Sequence, residues 1–117
     1  MTALTQVMVS THRDRPQVLV LGERVTLGLV ITPGVDGAGR YGGGWLLTHV
    51  ATGHAVLGCA TCLYCARRAA ATLTGIDWTR TGTDLAGDEQ VRAAVQGEAA
   101  RIARDCNAWT CEIPDGC

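Results

Sequence analysis

The sequence contains no lysine and no phenylalanine, and it has only three Trp and two Tyr. Its ten arginines are balanced by eleven acidic residues, which gives a formal net charge of −1. A chain that binds nucleic acid through many phosphates normally carries a basic excess, so this balance does not favour nucleic acid as the main partner. Because aromatic residues are few, the core must consist of small side chains, to which a cross-link or a bound metal would add useful stability.

Long apolar runs are also missing. No stretch approaches the roughly 18 apolar residues of a membrane helix, and residues 1–8 have neither the basic start nor the apolar run of a signal peptide. We therefore expect a cytoplasmic protein that does not contact the membrane. A length of 117 residues predicts a single domain over 1–117.

The first half of the chain is rich in β-branched and apolar residues, which indicates strands. We expect hairpin turns at Gly22-Glu23 and at Thr52-Gly53. Residues 33–44 contain six Gly in twelve residues and predict a loop. The predicted strands lie at 4–9, 17–21, 24–32, 45–50 and 54–57.

The second half changes to helical periodicity. Apolar residues recur at helical spacing over about 60–75 and about 88–106, and residues 79–87 form a polar linker. The expected N-cap of the second helix is Asp88, or Asp84 if the helix starts earlier. A short tail, 107–117, follows. The predicted fold class is α+β: an antiparallel sheet of about four strands within residues 4–57, covered on one face by an antiparallel two-helix hairpin.

The six cysteines are distributed unevenly. In an antiparallel helix pair the start of the first helix meets the end of the second, so five cysteines should gather there, with Cys117 within reach. These five are Cys59, Cys62, Cys65, Cys106 and Cys111.

Four states of this thiol cluster stay open. Cys-x-x-Cys spacing suits a tetrahedral zinc ion, which is the leading expectation. An even number of cysteines equally allows disulfides. The spacing Cys59-x-x-Cys62-x-x-Cys65 repeats part of a ferredoxin iron–sulfur run, although the usual fourth Cys-Pro is missing. Finally, buried thiols can act as small apolar side chains. In each case we expect a structural rather than a catalytic role.

Other motifs point to a binding surface rather than to catalysis. Residues 37–42 match G-x-G-x-x-G, but a strand follows instead of the helix that a dinucleotide site requires. The loop should therefore expose Arg40 and Tyr41, with Trp45 beside it. His49 and His54 flank the second turn and are expected on the open face of the sheet, while Leu46, Thr48, Val50, Ala55 and Leu57 face the helices. No oxyanion or nucleophile signature is present, which favours a non-enzymatic protein.

The sequence around Trp45–Val56, followed by an Ala-rich helix and Ile76-Asp77-Trp78, resembles short orphan proteins of actinobacteria and their phages. This resemblance implies no activity, cofactor or site. The leading functional hypothesis is a module that binds another macromolecule, above all a protein, with the thiol cluster as its structural anchor. A nucleic-acid-binding regulator that uses Arg67, Arg68, Arg101 and Arg104, or an iron–sulfur or redox sensor, is the alternative. The oligomeric state is left open.

Overall fold

The computed structural model describes residues 4–10, 17–35, 38–57 and 61–105. It confirms an α+β fold with a four-stranded antiparallel sheet in the order β1-β2-β3-β4. The strands are β1 (Leu4–Ser10), β2 (Gln17–Thr26), β3 (Leu29–Val35) and β4 (Tyr41–His49), and the helices are α1 (Leu63–Leu73), α2 (Gly82–Ala86) and α3 (Glu89–Asp105).

The prediction of a hairpin turn at Gly22-Glu23 is wrong. Strand β2 continues through both residues, and the chain reverses at Leu27-Gly28, where Gly28 has a φ of 90°. Gly22 lies inside the sheet, where a Cβ atom would stand 3.1 Å from the Ile31 carbonyl oxygen. Gly22 therefore allows close packing, whereas Gly28 supplies the left-handed conformation that the turn requires.

The predicted loop over 33–44 is also largely strand. Strand β3 extends to Val35 and pairs there with Tyr41, the first residue of β4. The glycines of this stretch accommodate an irregular register between Pro33 and Val35 instead of forming an open connection. Residues 54–57, predicted as a return strand, are joined to β4 by an isolated bridge, Thr48 to Ala55.

The sheet is strongly curled. The edges of a flat four-stranded sheet lie about 14 Å apart, yet the Ser10 N–H at the end of β1 donates to the Gly53 carbonyl, just beyond β4, at 2.8 Å. This curl buries a second apolar cluster on the face opposite the helices, which contains Val7, Val9 and Val30. Residues on both faces are therefore buried in the first part of β3 and the last part of β4, at 29–32 and 47–49.

The curl explains an error in the predicted orientation of β4. Leu47 packs with the helices, and His49 shares that face by alternation, whereas Thr48 lies on the other face beside Val30. The Thr48 hydroxyl is buried and lies 2.8 Å from the Thr32 hydroxyl. Because both faces are covered, the more apolar set of residues does not identify the face that meets the helices.

The helical layer differs from the predicted two-helix hairpin. Helix α1 packs on β2, β3 and β4, while α3 contacts α1 and α2 rather than covering the sheet directly. Helix α2 lies within the stretch predicted as a polar linker. Asp88 caps α3 as expected, since its Oδ1 accepts from the backbone N–H groups of Gln90 and Val91. Among the described helices, none has the length and apolar character that crossing a membrane requires.

Candidate functional site

His49 is buried, contrary to the expected exposed position, with 4% of its surface accessible. Its Nε2 atom lies 3.0 Å from both the Trp78 and the Arg80 carbonyl oxygens. Because carbonyl oxygens only accept, Nε2 carries a hydrogen and donates to both. Its Nδ1 atom lies 2.9 Å from the Thr52 hydroxyl, with which it forms a hydrogen bond. One imidazole thus joins β4, the turn after it and the segment that leads from α1 to α2.

Trp78 completes this junction. Its indole Nε1–H donates to the Leu73 carbonyl at the end of α1 at 2.8 Å, and the ring is 2% exposed. Gly28 approaches so closely that a Cβ atom there would lie 2.4 Å from the Trp78 carbonyl oxygen. The turn at Gly28, the end of α1 and the segment between α1 and α2 therefore meet at Trp78.

A cleft of about 570 Å³ opens between this junction and the helices. Its walls come from the turn and bridged segment after β4, from α2 and from the first half of α3. The lining is mainly apolar and includes Val56, Trp78, Leu85, Val91 and Val95. Its volume falls within the range of ordinary ligand sites, which combine an apolar lining with a few polar groups.

The rim of the cleft carries its polar groups. His54, Arg92 and Gln96 line the opening and are exposed, and Arg92 is the one charged residue among those that line it. The spacing of Glu89 and Arg92 would permit an ion pair on α3, but Arg92 has no side-chain partner in the described part of the chain. The cleft therefore presents an uncompensated positive charge beside an apolar surface.

Ala55, which lines this cleft, directs its main-chain groups away from β4. His49 N–H donates to the His54 carbonyl, and Val56 N–H donates to the Leu47 carbonyl. In such an antiparallel bridge, the intervening residue directs its own N–H and C=O away from the paired strand. Ala55 is exposed and lines the cleft, and its main chain has no hydrogen-bond partner among the described residues.

Two acidic residues near the cleft, Asp77 and Asp88, are engaged in other interactions. The Arg80 side chain donates to Asp88 at 3.0 Å. This bond, together with that from the Val91 N–H, holds the pKa of Asp88 below its ordinary value of 3.8. The hydroxyl and backbone N–H of Thr79 likewise lower the pKa of Asp77. These carboxylates are committed to a cap and a turn and leave Arg92 unpaired.

The residues predicted as one binding surface lie in two places. Arg40 and Tyr41 are exposed at the start of β4, and the ring of Trp45 is half-buried, 6.1 Å from that of Tyr41. His49 and His54 lie at the other end of β4, about 25 Å away along an extended strand. A single small site that contains all five residues is therefore excluded, and only the end with His54 borders the cleft.

Of the six cysteines, Cys62 and Cys65 lie within the described residues, and both are buried. The Cys62 Sγ accepts from the Cys65 N–H at 3.3 Å, so Cys62 caps the N-terminus of α1. Cys65 shares a small void with Ile102 of α3, so the start of α1 lies beside the last turns of α3. The predictions for the other four cysteines concern positions outside the described residues: Cys59, Cys106, Cys111 and Cys117. Within the ranges the structure describes, no three potential metal ligands cluster.

The arginines proposed for nucleic-acid binding include two that are paired. Arg67 forms two hydrogen bonds to the Glu23 carboxylate on β2, at 2.8 and 3.0 Å. Arg101 pairs with Glu98, which is buried rather than exposed as its position in the sequence suggested. This pattern fits a salt-bridged helix face better than a phosphate-binding patch.

The apolar wall formed by α2 and the role of Arg92 were not anticipated from the sequence. A signal for α2 existed: Thr81 and Asp84 have the spacing of a capping box, and the Thr81 hydroxyl accepts from the Asp84 N–H at 3.1 Å. No signal within the sequence separates Arg92 from the other arginines, because its exposure in a cleft depends on tertiary packing.

Comparisons with protein-family models, with curated proteins and with solved structures gave no significant match.

Proposed function

We propose that the protein is a small, non-enzymatic protein-binding module whose cleft takes an extended, apolar segment of a partner protein that carries a carboxylate. The observation that carries this proposal is the Arg92 guanidinium, which has no side-chain partner among the described residues, at the rim of a mainly apolar cleft. A guanidinium binds a carboxylate through paired hydrogen bonds, and it does so best beside a surface that excludes water.

The free main-chain groups of Ala55 favour a peptide over a compact small molecule. An extended chain that lies along the bridged segment can exchange main-chain hydrogen bonds with Ala55 and place alternate side chains against Val91 and Val95. The same arrangement brings an acidic side chain of the peptide toward Arg92. Three features of the cleft thus fit one occupant.

The thiol cluster belongs to this proposal as a structural anchor, with zinc as its leading state and disulfides as the alternative. Support comes from the burial of Cys62 and Cys65 one turn apart and from the proximity of Cys65 to the end of α3. Elemental analysis, with intact mass before and after reduction, identifies the state. A metal-free protein whose mass does not change on reduction would contradict the anchor.

Binding is tested with an array of synthetic heptapeptides that vary in aliphatic and acidic content. We expect retained peptides to combine aliphatic residues with Asp or Glu, and to shift the amide NMR signals of Ala55, Val91 and Val95. Replacing the acidic residue by its amide should weaken binding about tenfold. Arg92→Gln should weaken it to the same extent.

The matched control is Arg24→Gln, since Arg24 is an exposed arginine on β2 outside the cleft. It should leave peptide binding unchanged. The proposal fails if no peptide is retained, if retention shows no acidic preference, or if Arg24→Gln has the same effect as Arg92→Gln. Saturable binding of octanoate without binding of any peptide would identify a small-molecule site and would also overturn it.

A further inference from the structure

Strand β1 is an edge strand that lacks the features that normally prevent pairing with another chain. Its sequence, LTQVMVS, contains no charged residue and no proline. Its register with β2 is continuous from Leu4–Glu23 to Ser10–Gln17, without a bulge. Natural edge strands are usually protected by charges, proline or bulges. An unprotected edge of this kind favours addition of another strand.

The outward-pointing groups of β1 follow from the hydrogen bond at its end. Because the Ser10 N–H reaches outward to Gly53, alternation places the N–H and C=O groups of Leu4, Gln6 and Met8 on the same outer edge. The side chains of these three residues are exposed. Their outer N–H groups have no partner within the described ranges.

The Gly53 turn limits the available edge. A Cβ atom on Gly53 would lie 2.6 Å from the Met8 carbonyl oxygen, so that turn covers the edge from there to Ser10. Among the described residues, the main-chain groups left open to another strand therefore run from Leu4 to the N–H of Met8, on either side of Gln6.

We propose that two copies of the chain associate by antiparallel pairing of their β1 edges about a two-fold axis at Gln6, which joins the two sheets into one of eight strands. In this register Gln6 lies opposite Gln6 of the second copy, and Leu4 lies opposite Met8 of the second copy. An amide thus meets an amide, an aliphatic side chain meets an aliphatic side chain, and no like charges face each other. Such self-complementarity is the requirement of a two-fold interface.

The neighbouring strand supports the same surface. Leu19 and Leu21 of β2 lie opposite Met8 and Gln6 and are 56% and 59% exposed. Helix α1 packs on the other end of this sheet face, where Arg67 meets Glu23. Across the two-fold axis these leucines and the β1 side chains form one apolar band. Pairing of five residues buries less than a standard interface, so we expect a dissociation constant on the order of 0.1 mM.

The test is sedimentation equilibrium of the full chain under reducing conditions, from about 10 µM to about 1 mM. We expect reversible dimerisation, together with concentration-dependent protection of the Gln6 amide from hydrogen exchange. Gln6→Lys places two like charges opposite each other and should weaken association at least about tenfold. Gln90→Lys, the same change at an exposed position on α3, should not alter it.

Three results would overturn the inference: a monomer at the highest concentration, a dimer that Gln6→Lys leaves intact, or a dimer in which the Gln6 amide stays unprotected. The last two would indicate another interface, such as packing through the face that bears Leu19. Circular dichroism of both variants verifies that a loss of association does not reflect unfolding.

Discussion

Replacing His49 by alanine should strongly destabilise the protein, although the sequence predicts an exposed position for this residue. The imidazole is 4% exposed and bonds the Trp78 and Arg80 carbonyls and the Thr52 hydroxyl. Its removal leaves a cavity and a buried carbonyl without a donor. An unsatisfied buried polar group costs about 1–3 kcal/mol, and the lost packing adds about 1 kcal/mol. We therefore expect the free energy of unfolding to fall by about 3 kcal/mol.

Urea unfolding, followed by tryptophan fluorescence and by circular dichroism, measures this loss. His54→Ala is the matched control: His54 flanks the same turn but is exposed, so its replacement should change stability by less than about 0.5 kcal/mol. Thr52→Val removes the partner of Nδ1 and should cost about 1 kcal/mol. The double variant of His49 and Thr52 should cost less than the two single losses together, because both act on one hydrogen bond.

Equal stability of the His49→Ala and His54→Ala proteins would refute this reasoning, since it would show that the three contacts contribute nothing net. A large loss in His49→Ala with strict additivity toward Thr52 would leave the packing of the ring, rather than its hydrogen bonds, as the cause. Because His49 also fixes the Trp78–Arg80 wall of the cleft, the same variant should weaken peptide binding.

Two further predictions concern the ends of the same junction. Gly28→Ala combines a φ of 90° with a Cβ atom 2.4 Å from the Trp78 carbonyl oxygen, so it should lower the free energy of unfolding, measured in urea, by about 3 kcal/mol. Gly97 lies at an exposed helical position with no atom near the added Cβ, so Gly97→Ala should raise the free energy of unfolding by about 0.5 kcal/mol. The pKa of Asp88 is lowered in the folded state by its bond from Arg80, so its stabilising effect is present above pH 3.8 and is lost as the pH falls through the folded-state pKa. Asp88→Asn should therefore reduce the fall in melting temperature between about pH 5 and about pH 3, and an unchanged acid profile would contradict this assignment.

Local sequence signals predicted the elements whose formation depends on local preferences. The β-rich first half, a first helix over about 60–75 and the N-cap at Asp88 were all accessible, because capping residues and apolar spacing act within a few residues. The position of the first turn was not accessible. Gly22 and Gly28 are equally plausible turn residues, and only the packing of the neighbouring strand separates them.

The cleft was beyond sequence reasoning for a different reason. A strand with one buried face would expose His49, but the curl that brings Ser10 to Gly53 buries both faces. That curl is a property of the whole sheet and leaves no local pattern. Leu85 and Arg92 line the cleft only because α2 and α3 pack over the turn in the folded protein.

The two ends of α1 separate the proposed anchor from the proposed binding site. Cys62 caps the start of the helix, whereas the Leu73 carbonyl at its end holds Trp78 in the wall of the cleft. An eleven-residue helix places these ends about 16 Å apart. No side chain can bridge that distance, so a thiol or metal at Cys62 cannot contact a ligand in the cleft. In the proposed anchor, Cys62 and Cys65 therefore act on binding indirectly: they fix the start of α1 to the end of α3. This in turn sets how closely the other end of α3, with Val91 and Arg92, approaches the turn.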